Sequence, residues 1–234
     1  MSSEMKRFHD NPALCAELAA RVASDLAAAI DARRRATLAV SGGSTPGPLF
    51  DALCQAPLDW SRVQVTLVDE RWVAEDDAAS NARLVRDRLL QQRAAAAQFV
   101  GLKTAAARPA DAQAEVARRL AAFMPSIDVV LLGMGEDGHT ASFFPGAAQL
   151  DSALSVDADA ICAALVPPAA PHPRMTLTLG ALLRARHRYL HIVGAAKLAV
   201  LERALAAGDA REMPVRAVLH AAQAPTEIYY AEGN

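Results

Sequence analysis

The chain has 234 residues, 53% of them hydrophobic and 21% charged, a globular balance with enough length to bury a sizeable core. Its formal net charge is −2 and its isoelectric point is near 6.3, so no global basic field exists to hold a nucleic acid or an anionic membrane. No apolar run approaches the roughly 18 residues that a membrane span needs, and the opening MSSEMKRFHD lacks the apolar core of a secretory signal. The three cysteines, Cys15, Cys54 and Cys162, are far apart and form no CxxC or Cys/His cluster. Neither a disulfide framework nor a metal site is expected, and a reducing, cytoplasmic compartment is the simplest expectation.

In chain order, the basic run Arg33-Arg34-Arg35 reads as a solvated helix end favoured by the helix dipole. Thr37–Val40 reads as a short buried strand, followed by a Gly/Ser loop and a helical stretch from about Pro48 to Cys54. A second strand is expected over Val63–Val68 and a helix over Ser80–Gln92, with Ser80 as its cap. The Ala-rich stretch Arg93–Ala122 has the composition of helix and connector. Ile127–Leu132 reads as a third strand, Pro167–Pro173 as one fixed loop, and Tyr189–Val193 as a later strand. A helix over Ala195–Ala207 stopped by Gly208, and a closing strand over Thr226–Tyr230, complete the pattern. Strands separated by helices imply an α/β fold: a Rossmann-like, mainly parallel sheet with helices on both faces. No Pro/Gly/Ser linker divides the chain, so residues 1–234 are expected to form a single domain.

In open α/β sheets ligands bind outside the carboxyl ends of the strands, and three such places are chemically unusual here. Ser41-Gly42-Gly43-Ser44-Thr45-Pro46 follows the first strand, and its glycines, hydroxyls and N–H groups suit a phosphate. A plain strand-to-helix turn with a Ser or Thr cap is the alternative, and neither a Walker loop nor a GxGxxG fingerprint is present. Asp69-Glu70-Arg71-Trp72 follows the second strand and sets carboxylates and a guanidinium side by side, either in a pocket or as a surface ion pair. Gly133-Met134-Gly135-Glu136-Asp137-Gly138-His139-Thr140-Ala141-Ser142 follows the third. There Asp137 lies two residues before His139, close enough to orient an imidazole that can exchange protons near neutral pH. Arg174 and Lys197, each next to a predicted strand or helix start, are candidate anion ligands. The remaining histidines, His9, His172, His187, His191 and His220, lack such a frame and read as structural or surface residues.

Taken together, SGGSTP, DERWV, GMGEDGHTASFFP, PRMTLTLGAL and GAAK resemble the 6-phosphogluconolactonase family over about residues 37 to 200. The GxGEDGHTASxFPG form is the most specific of these, and Ser80–Val85 also resembles the family's sequence after its DER motif. The wider superfamily includes glucosamine-6-phosphate deaminase, which carries Asn-Glu-Pro where this chain has Phe143-Phe144-Pro145. The glutamate implicated in sugar-ring opening is therefore replaced by an apolar side chain.

The resemblance implies a cytoplasmic enzyme that hydrolyses 6-phospho-D-glucono-1,5-lactone to 6-phosphogluconate, in the oxidative pentose phosphate pathway. The residues themselves supply a consistent mechanism, with His139 as general base, oriented by Asp137. The substrate phosphate would be held by Gly42, Gly43, Ser44, Thr45, Arg174 and Lys197, with Asp69 and Arg71 near the sugar hydroxyls. No metal or other cofactor is required, since an aldonolactone is a reactive ester that water and one base can open. The expected partner is a small sugar phosphate, and the expected state is a monomer or weak homo-oligomer. The alternatives are an amino-sugar-phosphate deaminase or isomerase, and a non-catalytic sugar-phosphate sensor.

Overall fold

The computed structural model describes residues 5–157, 159–222 and 225–233. The first strand, β1 (Met5–Asp10), leads into the long helix α1 (Asn11–Arg33). Asp10 caps that helix by accepting from Ala13 N at 2.8 Å, and Arg34, in the left-handed region at φ 62°, ends it. β2 (Ala36–Val40), α2 (Gly47–Leu53) and β3 (Val63–Leu67) follow. The chain then makes a short strand β4 (Asp69–Arg71), helix α3 (Asn81–Leu84), β5 (Gln98–Val100), α4 (Pro109–Leu120) and β6 (Val129–Leu132). The second half runs α5 (Leu150–Ala153), β7 (Cys162–Leu165), β8 (Arg174–Leu177), α6 (Leu179–Leu183) and β9 (His187–Val193). Helices α7 (Ala195–Leu205) and α8 (Val215–Leu219) precede β10 (Thr226–Gly233).

Seven strands form one wholly parallel sheet in the order β1-β10-β9-β6-β2-β3-β5. Every residue of β2 (ATLAV) and β6 (VVLL) is buried, because both faces of these central strands are covered. That is why they read as unbroken apolar runs rather than as alternations. From β2 the chain moves outward through β3 to β5, returns to β6 on the other side of β2, and moves the opposite way through β9 to β10. Right-handed crossovers then put the connecting helices of the two halves on opposite faces. Accordingly α1 packs with α2 and against β2, while α7 packs with α8 and against β9. The mainly parallel sheet with helices on both faces is the architecture expected from sequence.

Three features depart from that expectation. The polar N-terminal segment is a strand, β1, at the sheet edge; partial exposure tolerates Lys6, Arg7 and His9 there. The helix expected over Ser80–Gln92 is α-helical only to Leu84 and continues through Leu89 as a wider turn, with Leu90 N donating to Val85 O at 2.9 Å. A second sheet, antiparallel and ordered β4-β8-β7, lies outside the main one. Its register sets Asp69 opposite Thr176 and Arg71 opposite Arg174, joining two motifs about a hundred residues apart. Among the described residues no helix is long and apolar enough to cross a membrane.

Candidate active site

The chain leaves the parallel neighbours β2 and β6 toward opposite edges of the sheet, so their carboxyl ends mark the point where a crevice opens. A cavity of about 270 Å³ lies there. It is lined by Ser41, Gly42, Gly43, Ser44 and Thr45 after β2, Gly133, Gly135 and His139 after β6, Asp69 and Arg71 of β4, Arg174 of β8, and Lys197 of α7. All the site residues expected from sequence therefore meet around one pocket, with Asp137 behind the wall and touching it through His139.

The loop after β6 folds onto itself. Gly135 N donates to His139 O at 2.9 Å, and Thr140 Oγ1 donates to Gly133 O at 2.8 Å. A Cβ on Gly135 would lie 2.2 Å from the His139 ring and 2.6 Å from Asp137 Oδ1, so only glycine lets the pair sit there. That glycine is pressed against the loop's own histidine rather than against a ligand. Asp137 Oδ1 accepts from His139 N at 3.0 Å and lies 2.6 Å from the ring Nδ1. Burial acts to raise the Asp137 carboxyl, but the hydrogen bonds from His139 outweigh it and hold it below the usual carboxylate range. An ionised carboxylate can only accept, so the proton sits on Nδ1 and the Nε2 lone pair is left for chemistry. The imidazole stacks on Phe144 with ring centroids 4.4 Å apart, and the Arg174 guanidinium lies 5.7 Å from the same phenyl centroid.

The alternative of a surface ion pair at 69–71 does not fit, because Asp69 and Glu70 are buried. Asp69 Oδ2 accepts from Ser142 Oγ at 2.5 Å. Glu70 faces away from the pocket and accepts from the backbone N–H groups of Arg71, Asn81 and Ala82, each at 2.8 Å. Ser80 is the cap of α3 expected from sequence, accepting from Arg83 N at 3.2 Å. Arg71 Nη1 donates to Ala79 O at 2.7 Å and Arg174 Nη1 to His172 O at 3.4 Å, which engages one nitrogen of each. Two guanidinium groups opposite each other on one ladder repel, a cost that a bound dianion reverses. Burial lowers the Arg174 guanidinium and the Lys197 ammonium below their usual values, and Lys197 Nζ donates to Thr45 Oγ1 at 3.3 Å.

The comparisons with known proteins agree with this geometry. A family model described as glucosamine-6-phosphate isomerases/6-phosphogluconolactonase matches residues 9–228. The chain belongs to this family. It is 48% identical over 231 residues to a 6-phosphogluconolactonase of Rhizobium meliloti strain 1021, covering 99% of this chain and 100% of that one. It is 44% identical to a 6-phosphogluconolactonase of Pseudomonas putida, covering 94% of this chain and 90% of that one. A crystal structure of a 6-phosphogluconolactonase from Shewanella baltica OS155 superposes with a TM-score of 0.95 at 46% identity, covering 98% of each chain.

Two residues that line this family member's pocket, Asn81 and His191, and one behind its wall, Ser142, were given no role in the site by the sequence reading. Asn81 is buried, donates through Nδ2 to Asp69 O at 2.8 Å, and fills the space that a Cβ on Gly42 would need. Ser142 is fully buried under Asp69. His191, read from sequence as structural or surface, lines the pocket beside Lys197 and is also bonded to Asn11. The family likeness of Ser80–Val85 covers Asn81 and that of GMGEDGHTASFFP covers Ser142, while no motif covers His191. Among the described residues, no group of three or more His, Cys, Asp or Glu is placed to hold a metal ion.

Proposed function

We propose that the chain hydrolyses 6-phospho-D-glucono-1,5-lactone to 6-phosphogluconate, with His139 as the general base. That it is a hydrolase of a sugar-phosphate lactone rests on relatives named 6-phosphogluconolactonase, 44–48% identical over nearly the full length of both chains. One observation carries the mechanism: an Asp137–His139 pair at 2.6 Å that opens onto a pocket walled by Arg174, Arg71 and Lys197.

The substrate phosphate is held by Arg174, Lys197 and the Gly42–Thr45 loop. Burial disfavours the charged form of both residues, so a dianion between them restores what burial removed. His139 Nε2 takes a proton from water as its oxygen attacks C1, and the carbonyl electrons move onto the exocyclic oxygen. Backbone N–H groups of the glycine segments would face that oxyanion, a contribution of roughly 10²–10³ in rate per donor. On collapse the C1–ring oxygen bond breaks, and the imidazolium returns its proton to the departing oxygen. Asp137 keeps the tautomer that makes this possible. Asp69 and Arg71 meet the sugar hydroxyls.

The family description also covers isomerases of glucosamine 6-phosphate. Phe144, stacked on His139, occupies the position at which the resembling deaminases carry their glutamate, and this disfavours ring opening here. The same reading takes residues 1–234 as one functional domain. It takes the enzyme as cytoplasmic, in keeping with three buried free thiols, and as a monomer or weak homo-oligomer.

The test is hydrolysis of freshly made lactone, measured against the spontaneous rate in buffer. Wild type is expected to exceed that rate by orders of magnitude, and His139→Ala to lose about 10²–10⁴-fold in kcat. A wild type no faster than buffer overturns the activity. A fully active His139→Ala overturns only the base, and ammonia released from glucosamine 6-phosphate would replace both with the isomerase reading.

A further inference from the structure

Phe143 and Phe144 are adjacent, yet they live in different surroundings. Phe143 is fully buried in the apolar core, whereas Phe144 lines the pocket and touches two of its charged or titrating groups. The His139 ring stacks on it at 4.4 Å between centroids with an interplanar angle of 29°, and the Arg174 guanidinium carbon lies 5.7 Å from its centroid.

Each partner takes part of its restraint from that ring. The second torsion of a histidine is broad; Asp137 restrains the Nδ1 edge of the imidazole and Gly135 lies against the ring near Nδ1 and Cε1, which leaves the Nε2 side to the phenyl. Rocking about that edge swings Nε2 away from any one water. A phenyl stacked on the ring fixes its plane, so edge and plane together determine where the Nε2 lone pair points. Arg174 has one long hydrogen bond, 3.4 Å to His172 O, and sits beside Arg71 on the facing strand. A planar guanidinium against an aromatic ring is held by both cation–π attraction and stacking. The negative ring face also favours the imidazolium that forms when His139 takes a proton from water.

We propose that Phe144 is a positioning residue that fixes both the imidazole of His139 and the guanidinium of Arg174, and so couples the hydrolytic end of the pocket to its phosphate end. The proposal rests on the roles given to those two residues above. It assigns to the aromatic side chain a task different from that of the acid it replaces: it exchanges no proton and sets the geometry of the groups that do.

The experiment compares Phe144→Leu, Phe144→Tyr and Phe143→Leu at a temperature where all three are folded. Three quantities are read: kcat on the lactone, the Kd of inorganic phosphate, and the His139 imidazole resonances in a proton–nitrogen spectrum. Phe144→Leu is expected to lower kcat by about tenfold and to weaken phosphate by about threefold. It is also expected to broaden or split the His139 ring signals. Phe144→Tyr, which keeps the ring, restores all three. Phe143→Leu lowers thermal stability without moving any of them. The proposal is overturned if Phe144→Leu leaves phosphate affinity and the imidazole signals as in wild type, or if Phe143→Leu moves them equally. Because those two readouts do not depend on turnover, a fully active His139→Ala would remove the base while leaving the positioning claim to be decided separately.

Discussion

His191 stands in the middle of β9 with 3% of its surface exposed. Its Nε2 lies 3.1 Å from Asn11 Oδ1, an oxygen that also accepts from Cys15 Sγ at 3.3 Å. That arrangement puts the proton on Nε2 and leaves Nδ1, which has no partner, as a buried lone pair beside Lys197. Burial first, and then the nearby Lys197 ammonium, push its pKa down to about 4. An unfolded histidine titrates near 6.5, so between those values the unfolded chain binds a proton that the folded chain refuses. Stability from this residue is therefore complete above pH 6.5 and falls as pH drops toward 4, by about 3 kcal/mol over the window. Urea unfolding of wild type and His191→Gln at several pH values measures it, since glutamine does not titrate. Wild type should lose stability more steeply on acidification; parallel curves would remove the argument. The same residue shows where reading a sequence stops. Asp137 and His139 were legible because the two partners are neighbours in a glycine frame. His191 sits in an apolar strand run, and Asn11, Cys15 and Lys197, which give it meaning, come from other elements.

At the scale of elements, what was legible follows burial. Strands β2, β3, β6 and β9 are largely apolar because the sheet is covered on both sides, and each appeared in the sequence within two residues of its observed bounds. The strand Asp69–Arg71 carries only charged side chains, and no periodicity could mark it. It is a strand because it pairs with Arg174–Thr176, a long-range event, and because Glu70 anchors it to α3. Glu70 is the clamp between these two elements, accepting three backbone N–H groups and the Ser80 hydroxyl. Burial raises its carboxyl above the usual range even though those backbone donors pull the other way. Glu70→Ala strands several buried donors at once and is expected to destabilise the fold by about 3 kcal/mol or more. Glu70→Gln, which keeps one acceptor oxygen, should cost less. Denaturant midpoints at constant m-value check both. Equal midpoints for wild type and Glu70→Ala would show that water satisfies the donors and that the clamp is dispensable. Activity of Glu70→Ala should also fall before it unfolds, because β4 carries Asp69 and Arg71 to the pocket.

At the scale of the whole molecule, ligand and fold are linked through the switch point of the sheet. The pocket draws residues from the ends of β2 and β6, from β4 and β8 of the small sheet, and from the start of α7. No two of these segments are held together by chain connectivity alone, so a ligand that bridges them binds the folded chain and not the unfolded one. 6-Phosphogluconate, the product of the proposed reaction, carries the phosphate without a bond to be broken and serves as the probe. At a concentration of 100 times its Kd it should stabilise the fold by about 2.7 kcal/mol. For a chain of this size that corresponds to a rise of roughly 5–10 °C in Tm. Lys197→Ala and Arg174→Ala should each shrink the rise at fixed ligand concentration. Burial disfavours the charged form of both residues by more than the nearby carboxylates, Asp69 for Arg174 and Glu136 for Lys197, offset, so the unliganded variants should melt no lower, or slightly higher, than wild type. That opposite pair of signs, a neutral or stabilised apo form and a weakened response to ligand, separates an anion site from a structural cation. A variant that melts several degrees lower without ligand, and responds to the product as wild type does, would assign that cation to the fold instead.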